Sequence, residues 1–458
     1  MSGGIRGDPH YAGWKAELLH LSPDVTAPTP SWRAKLPFFY GWVIVASCSA
    51  VLAISYGVYY SFSVFLVALL DQFGWSRAAA SGVFSLFAMS TAFGSVGGGA
   101  LMDRLGPARV MPAGGILLAI GLFGTSRMTQ LWEFYLYFGL ICGLALSLAG
   151  WVPCVALVSR WFSRKQGLAM GFTGAGIGLG TVVMVPMCQY IISTSGWQSA
   201  YLFLAAVALV GIAPQAALFQ VAGPELLGLK PDGAAGRGSA TPTKTGRRVQ
   251  IVDPDWASRP WTVASAARTS RFWMLGLFMT TLVIINQMLW VHQVAYLVDS
   301  GYDTMAAAWV VGLAGFLSMP AKVMWGELCD RLGRELSLTL GTVSVLLAIA
   351  LLILAGSVHS VLIVVLFGIA FAIGYGVAPP VNSTSSADLF YGANFGSIYG
   401  ALAIGIGIGT ALGAWMAGYV FDVTGSYIAA FLIGGSCSIV SSACLWLVAP
   451  RRVRKTLA

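Results

Sequence analysis

Long apolar stretches alternate with short polar segments along most of this chain. Twelve of them are long enough to form helices of about 20 residues, the length that crosses the hydrocarbon core of a bilayer. Because backbone polar groups must be paired within lipid, such stretches form helices or barrel strands, and uninterrupted apolar runs exclude the alternating pattern of a barrel. The pattern therefore predicts an all-α membrane protein. The predicted helices begin near Tyr40, Ala79, Val110, Trp132, Leu168, Tyr201, Phe272, Ala306, Leu336, Val361, Gly396 and Tyr427.

The polar segments divide these helices into two sets of six. Residues 1–39 are predicted to be a cytoplasmic tail, since they lack the apolar core of a secretory signal. Residues 40–222 and 271–449 hold the two sets, and residues 450–458 form a basic tail. Residues 223–270, between the sets, are rich in Gly, Pro, Thr, Lys and Arg, which is the composition of a linker.

Two sequence elements recur at a nearly constant spacing. The segment GALMDRLGPAR at residues 99–109 returns as GELCDRLGRE at residues 326–335, an offset of 326 − 99 = 227 residues. Two copies of one six-helix unit imply parallel halves related by an axis along the membrane normal. Four glycines recur at an offset of 229 residues: Gly171, Gly178, Gly180 and Gly196 return as Gly400, Gly407, Gly409 and Gly425.

Charge is scarce and unevenly placed. Only 9% of the 458 residues are charged, against about a quarter in soluble proteins. With both termini cytoplasmic, 23 of the 26 lysines and arginines fall in the tails, the linker and the loops on that side, whereas Arg77 and Arg127 lie opposite and Lys322 lies within a helix. This asymmetry predicts cytoplasmic termini. The net charge of +9 is explained by these basic loops, because they face the anionic lipids of the cytoplasmic leaflet. The charge therefore does not indicate a nucleic-acid partner, and none is expected.

The repeated element, G-x-x-x-D-R-x-G followed closely by an arginine, resembles the signature loop of the major facilitator superfamily. The resemblance extends from about Tyr40 to Val448 and implies that family's fold, with twelve transmembrane helices in two pseudo-symmetric six-helix bundles. Its glycines let two helices pack closely, and its carboxylates can cap a helix N-terminus or pair with an arginine. The alternative is a pair of solvated loops. We assign to a cytoplasmic gate the residues Asp103, Arg104, Asp330 and Arg331.

A second element looks like the loop that precedes the fifth helix in monocarboxylate transporters and their oxalate/formate-exchanging relatives. It is WFSRKQGLAMG at residues 161–171, and Tyr40-Gly41-Trp42 and residues 268–273 fit the same relatives. A glycine-rich helix start also serves close packing in many transporters. Multidrug exporters usually carry a Gly-Pro pair here, whereas GAGIG at residues 174–178 lacks proline. This resemblance implies small monocarboxylates as substrates.

Lys322 is a cation inside an apolar helix. It precedes Asp330 by eight residues, which places it about 12 Å inside the loop and near the midplane. Because a cation there costs about 2.5–3.5 kcal/mol on translocon scales, we expect it to bind an anion. The alternative is a side chain that reaches the interface or pairs with Glu327. The resembled family usually carries a carboxylate-binding arginine at this place. Its proton-coupling aspartate and lysine correspond here to Ser318 and Tyr60, so two residues of its coupling scheme are replaced, whereas the expected anion binding is not affected.

Two stripes of polar and aromatic residues follow helical spacing. The resemblance places the first, fourth, seventh and tenth helices around a central cavity, so both stripes are expected to line it. Each residue by itself also fits an ordinary interhelical contact. The first helix carries Tyr56, Tyr59, Tyr60 and Ser63, and the seventh carries Asn286, Gln287, Trp290 and Gln293. Further candidates are Tyr135 and Tyr137 in the fourth helix and Tyr375 and Asn382 in the tenth.

Three residues near helix ends are further candidates. His292 lies near the outer end of the seventh helix and is a candidate for proton coupling, since histidine titrates near neutral pH. A structural histidine at the interface is the alternative. Arg160 and Asp388 are equivalent in the repeat, since 388 − 160 = 228. They are expected either to latch the two halves together or to serve their own loops.

These features predict a secondary active or facilitative transporter of small monocarboxylates or related organic anions in the cell membrane. Proton symport, anion exchange and uniport stay open, as does the oligomeric state. The alternatives are an exporter of apolar or cationic compounds and, from another class, a transporter-like membrane sensor. An enzyme is not predicted because the sequence lacks a nucleophile–base pair and a phosphate loop.

The seven cysteines lack metal-ligand spacing, so no metal or other cofactor is expected. The expected partners are the substrate anion, membrane lipids and, under symport, a proton.

Overall fold

The computed structural model describes residues 37–162, 165–233, 249–392 and 394–456. It confirms the predicted all-α membrane fold, and the predicted helix starts lie within a few residues of those observed. The first six helices are α1 Gly41–Phe73, α2 Arg77–Leu105, α3 Pro107–Ser126, α4 Leu131–Trp161, and α5 and α6, which together span Gln166–Phe219. The second six are α7 Ser270–Asp299, α8 Thr304–Leu332, α9 Arg334–Ser357, α10 Val361–Phe390, α11 Phe395–Thr424 and α12 Ile428–Val448.

Glycines with positive φ end or divide helices at equivalent positions of the repeat. Gly106 and Gly333, with φ of 76° and 88°, join α2 to α3 and α8 to α9. Gly196, with φ of 84°, separates α5 from α6, and its counterpart Gly425, with φ of 71°, ends α11. Residues with a side chain disfavour positive φ, whereas glycine adopts it readily. The repeat in the sequence is therefore also a repeat in the backbone.

The helices form two six-helix bundles, α1–α6 and α7–α12, which meet along α1–α7, α2–α11 and α5–α8. We call the face that carries the start of α1 and the end of α12 the basic face, and the other the opposite face. In the half of α2 and α11 nearer the opposite face, the hydroxyl of Ser85 donates to the carbonyl of Ala411 at 2.6 Å. Between α5 and α8, a methyl group at Gly315 would lie 2.4 Å from Thr181. The bundles are thus in close contact on this side.

Towards the basic face the same helix pairs separate. A methyl group added at Gly99 of α2 or Gly400 of α11 would meet no atom within 4 Å, and the same holds for Gly171 of α5 and Gly326 of α8. The molecule is therefore closed on the opposite face and open towards the basic face.

The end of the predicted linker has a structure that its composition does not indicate. Strand β1, Val249–Ile251, pairs antiparallel with β2, Arg454–Thr456, which follows α12. Two short helices, Pro254–Ala257 and Val263–Ala267, lead into α7. The indole of Trp256 donates to the carbonyl of Leu389 at the end of α10 at 2.8 Å. This part of the linker therefore packs on the second bundle. Residues 234–248 lie outside the described residues.

We expect Gly180→Ala to destabilise the first bundle, because a methyl group there would lie 1.9 Å from the backbone oxygen of Ala53 in α1. Such overpacking costs about 1–3 kcal/mol of folding free energy. Gly171→Ala is the matched control on the same helix, since its methyl group would enter open space. Thermal unfolding of the detergent-purified variants measures the difference. Equal melting temperatures for both variants would contradict the close α1–α5 packing.

Candidate functional site

Lys322 lies in the middle part of α8, where α8 and α10 come closest. The approach depends on Gly376 of α10, since a methyl group there would lie 2.8 Å from the Cβ of Ala321. The preceding residue on α10, Tyr375, places its ring centroid 5.1 Å from the Lys322 ammonium nitrogen, a cation–π contact. Lys322 as a whole residue is half-buried, but its ammonium group lies deep in the protein against the Tyr375 ring.

The ammonium group of Lys322 has no carboxylate counter-ion among the described residues. Glu327, the predicted alternative partner, forms an ion pair with Arg331 at 2.8 Å. A cation removed from water is stabilised only when an anion or several polar groups pair with it. The position therefore favours an anion that comes from outside the protein.

The two predicted stripes meet in the centre of the molecule. The hydroxyl of Tyr59 in α1 donates to the side-chain carbonyl of Gln287 in α7 at 3.2 Å, and the two positions differ by 228 residues, between the offsets of 227 and 229 residues of the repeated elements. The hydroxyls of Tyr60 and Tyr375 are 3.1 Å apart, which links α1 to α10. The rings of Tyr60 and Trp290 lie 4.4 Å apart. We call Tyr59, Tyr60, Gln287, Trp290 and Tyr375 the central cluster.

Several polar atoms of α7 and α10 are buried without a hydrogen-bond partner among the described residues. They include the amide nitrogen of Gln287 and the indole nitrogen of Trp290 in the central cluster. Buried polar groups are usually paired, so each such atom calls for an explanation. The two nitrogens are donors that a bound anion or its polar substituents can use. Unpartnered atoms also occur on Asn286, Gln293 and Asn382.

A layer of phenylalanines packs between the central cluster and the opposite face. Phe84 of α2 contacts Tyr59 with ring centroids 4.8 Å apart and Phe62 at 4.9 Å. Phe87 and Phe138 continue the layer at 5.2 Å. All four phenylalanines are at most 1% exposed. This layer fills the interior of the first bundle next to the central cluster.

The structure places some predicted residues away from the central cluster. Tyr135 donates to the backbone carbonyl of Ala79 at 2.9 Å, near the opposite face, and so forms a contact between α4 and α2. Tyr137 packs its ring against Gly124 of α3. Ser63 donates to the carbonyl of Tyr60 in its own helix. Tyr56 lies beside the central cluster, with its ring 6.2 Å from that of Tyr60.

On the basic face, Arg334 connects three elements of the second bundle. It pairs with Asp330 of α8 at 3.2 Å and with Asp388 of α10 at 3.0 Å, and it also donates to the carbonyl of Cys329. Asp388 thus pairs within its own half in this open state, and the latch between the halves stays a prediction for the closed basic face. Arg331 pairs with Glu327. Arg104 and Arg160 are exposed, and the side chain of Asp103 lies outside the described part of the structure.

His292 lies within a buried polar cluster near the opposite face. One ring nitrogen is 3.1 Å from the hydroxyl of Tyr427, the residue before α12, and the other is 2.8 Å from the carbonyl of Ala414 in α11. The Tyr427 hydroxyl accepts from Arg77 at 2.7 Å, and Arg77 pairs with Asp299 at 2.7 Å. We call this set the Arg77 cluster; its fifth side chain, Asp422, accepts from the backbone N–H of Arg77 at 2.9 Å.

Of the Arg77 cluster, only His292 was predicted from the sequence as a functional residue. One signal was available, since Arg77 is one of only two basic residues predicted on the opposite face. Asp299 and Asp422 end two helices on that face, but nothing local shows that both approach the start of α2. The cluster forms only where the two bundles contact each other, so the sequence of either bundle alone does not predict it. Within the described ranges, no group of His, Cys, Asp and Glu side chains is arranged to hold a metal ion.

Comparison with known proteins agrees with this architecture. Monocarboxylate transporter 13 of Rattus norvegicus is 29% identical over 410 residues, which cover 89% of this chain and 88% of the relative. Monocarboxylate transporter 2 of the same species is 24% identical, covering 90% and 84%. The chain thus resembles the monocarboxylate transporters over nearly its whole length.

Solved structures share the fold at low sequence identity. A mutant of the nucleoside transporter NupG matches with a TM-score of 0.67 and 14% identity, covering 89% of this chain and 100% of that one. A bacterial homolog of the human lysosomal transporter Spinster, inward-facing and unoccupied, matches with a TM-score of 0.65 and 14% identity, covering 90% and 98%. The model of the Major Facilitator Superfamily matches residues 48–383. The chain therefore belongs to the major facilitator superfamily and is a membrane transporter.

Proposed function

We propose that this transporter carries small monocarboxylates or closely related organic anions. The observation that carries the proposal is Lys322, a deep cation without a carboxylate counter-ion among the described residues. A substrate carboxylate would pair with it, and such charge-assisted contacts are stronger than neutral ones. A cationic substrate would meet repulsion there, which disfavours the alternative of a cation exporter. The names of the relatives, monocarboxylate transporters 13 and 2, support the same substrate class.

The substrate is proposed to bind between Lys322 and the central cluster. Tyr375 touches both, because its ring faces the ammonium group and its hydroxyl meets that of Tyr60. The free donors of Gln287 and Trp290 would contact polar substituents, and the rings of Tyr60 and Trp290 would contact the apolar part. Tyr56, Asn286, Gln293 and Asn382 remain candidates in further turns of the same helices. A single cation suits a substrate with one carboxylate.

Transport is proposed to proceed by alternating access of the two bundles, residues 40–222 and 271–449, joined by the linker 223–270. The distribution of basic residues supports cytoplasmic termini and hence a cytoplasmic basic face in the cell membrane. In that orientation the structure is open to the inside. A gate is proposed to form when the basic face closes. Each repeat supplies one acidic and one basic residue that can pair with the other half: Asp103 and Arg104 from the first, and Asp330 and Arg331 from the second.

Uptake of radiolabelled L-lactate and pyruvate into proteoliposomes tests this proposal, with and without an inward proton gradient. We expect saturable uptake that excess unlabelled substrate inhibits, whereas the neutral analogue L-lactamide should not inhibit, because it lacks the charge that Lys322 would neutralise. A rate that rises with the gradient would show proton symport. Binding without sustained flux would favour the sensor. Failure to take up either acid, or equal inhibition by lactamide, would contradict an anion site.

A further inference from the structure

We propose that the Arg77 cluster is the lock of the outer gate and that protonation of His292 releases it. The opposite face is extracellular in the proposed orientation, and this cluster lies where the bundles meet on that face. The inference goes beyond the substrate proposal and does not depend on which compound is carried. It rests on contacts that cross between the bundles and on the direction of each hydrogen bond among them.

The cluster joins the start of α2 in the first bundle to three helices of the second. The Arg77 guanidinium pairs with Asp299 at the end of α7 and lies 3.8 Å from the ring centroid of Phe421 in α11. The Asp422 carboxylate accepts the backbone N–H groups of Arg77 and Ala78 at 2.9 and 2.7 Å, and so caps α2 from the other bundle. Opening the outer face would break all of these contacts together.

The hydrogen bonds around His292 have one consistent direction. Because a carbonyl only accepts, the ring nitrogen that faces Ala414 must carry a proton. The other nitrogen then accepts from the Tyr427 hydroxyl, whose oxygen accepts from Arg77. The chain Arg77 to Tyr427 to His292 to Ala414 is therefore complete when His292 is neutral. His292 is 0% exposed, so the closed gate holds the neutral ring away from water.

A second proton on His292 would disrupt this chain. Both ring nitrogens would then donate, so the Tyr427 oxygen would face two cationic donors and its own proton would lose its acceptor. The charges that face the ring through Tyr427 and from the neighbouring helices are Arg77 of α2, Asp299 of α7 and Asp422 of α11. Of these, Arg77 is closest along the hydrogen-bond chain and would repel the imidazolium. External acid should therefore favour the open outer gate, where the ring is hydrated.

A cysteine at Ser81 can report on the gate. Ser81 is 0% exposed, lies one turn after Arg77 and faces Gly418 of α11, so opening would expose it. Ser195→Cys on the exposed α5–α6 turn is the matched reference. Its thiol is accessible whether the gate is open or closed, so its labelling rate reports only the effect of pH on thiol ionisation. The parent protein corrects for the seven native cysteines. Proteoliposomes would receive a membrane-impermeant methanethiosulfonate from outside, and the measured quantity is the ratio of the two labelling rates.

We expect this ratio to rise about tenfold between about pH 7.5 and pH 5.5, a typical size for coupling between two sites. His292→Gln should remove the rise and keep the ratio low, since glutamine can donate to Ala414 and accept from Tyr427 but cannot take up a proton. Asp299→Asn should give a high ratio at both pH values, whereas Asp299→Glu, which keeps the ion pair, should resemble the parent.

Two kinds of result would overturn the proposal, one against the trigger and one against the lock. A ratio that does not change with pH in the otherwise unaltered reporter protein, or an equal rise in His292→Gln, would exclude His292 as the trigger. A low ratio in Asp299→Asn at both pH values would exclude the Arg77 cluster as the lock. If His292→Gln fails to fold, Tyr427→Phe tests the trigger, because it removes the hydroxyl that connects Arg77 to His292, and the ratio should then no longer change with pH. Neither result would bear on the anion site, since labelling needs no substrate.

Discussion

Lys322→Ala should reduce saturable monocarboxylate uptake by about a hundredfold, since removal of one partner of a buried charge pair costs about 2–5 kcal/mol. The expected size follows from the surroundings of Lys322. The described residues provide no carboxylate partner, and the nearest recorded aromatic contact is the Tyr375 ring at 5.1 Å. The substrate would therefore be the main counter-ion, and the alanine variant would retain no cation to replace it. Initial uptake rates over a concentration series measure the loss.

Two control variants separate the charge from general damage to the protein. Lys322→Arg keeps a permanent cation and should retain most of the anion binding, although its planar group presents its donors differently. Lys230→Ala removes an exposed lysine of the linker and should transport normally. If Lys322→Ala takes up substrate at the parental rate, the monocarboxylate proposal loses its physical basis. The membership of the transporter superfamily would be unaffected.

The sequence was sufficient for the fold because its signals are local. Each helix is predicted from its own apolar stretch alone. The turns at Gly106 and Gly333 are predicted from a glycine at the same place in both repeats. The repeat also carried information about the site, since Tyr59 and Gln287 are equivalent positions that meet across the interface. Helical spacing also placed Tyr56, Tyr60 and Trp290 on faces that meet in the structure, while their role in binding stays a prediction. These predictions used periods and offsets, which a single sequence displays.

The contacts that the sequence did not predict connect residues far apart in the chain. Arg77 and Asp299 are separated by 222 positions that are not a repeat offset, so neither one indicates the other. Strand β1 is too short and too close to a polar segment to be recognised before its partner β2 is known. Tyr135 sits on a helix expected to line the cavity, but the rotation of α4 points it to Ala79. Helix rotation and pairing depend on packing across the whole protein.

Trp290 is the residue of the central cluster with the most ring contacts across helices. It is 3% exposed, and its ring lies 4.4 Å from Tyr60 of α1 and 5.0 and 5.4 Å from Phe371 and Tyr375 of α10. It therefore joins three helices beside the proposed anion site. Its indole nitrogen is a donor without a partner among the described residues. Packing and hydrogen bonding to a substrate are thus combined in one side chain.

Trp290→Ala should destabilise the protein by about 3–5 kcal/mol, the range for loss of a large buried aromatic residue, and should abolish uptake. Trp290→Phe keeps an aromatic ring, so it should retain more of the stability while it weakens substrate affinity through loss of the N–H donor. Trp309→Ala is the control, because Trp309 is 54% exposed and its removal leaves no buried cavity. Thermal unfolding and the concentration dependence of uptake measure the two effects separately. If Trp290→Phe lowers stability yet leaves the KM unchanged, Trp290 packs the cluster without contacting substrate through its nitrogen.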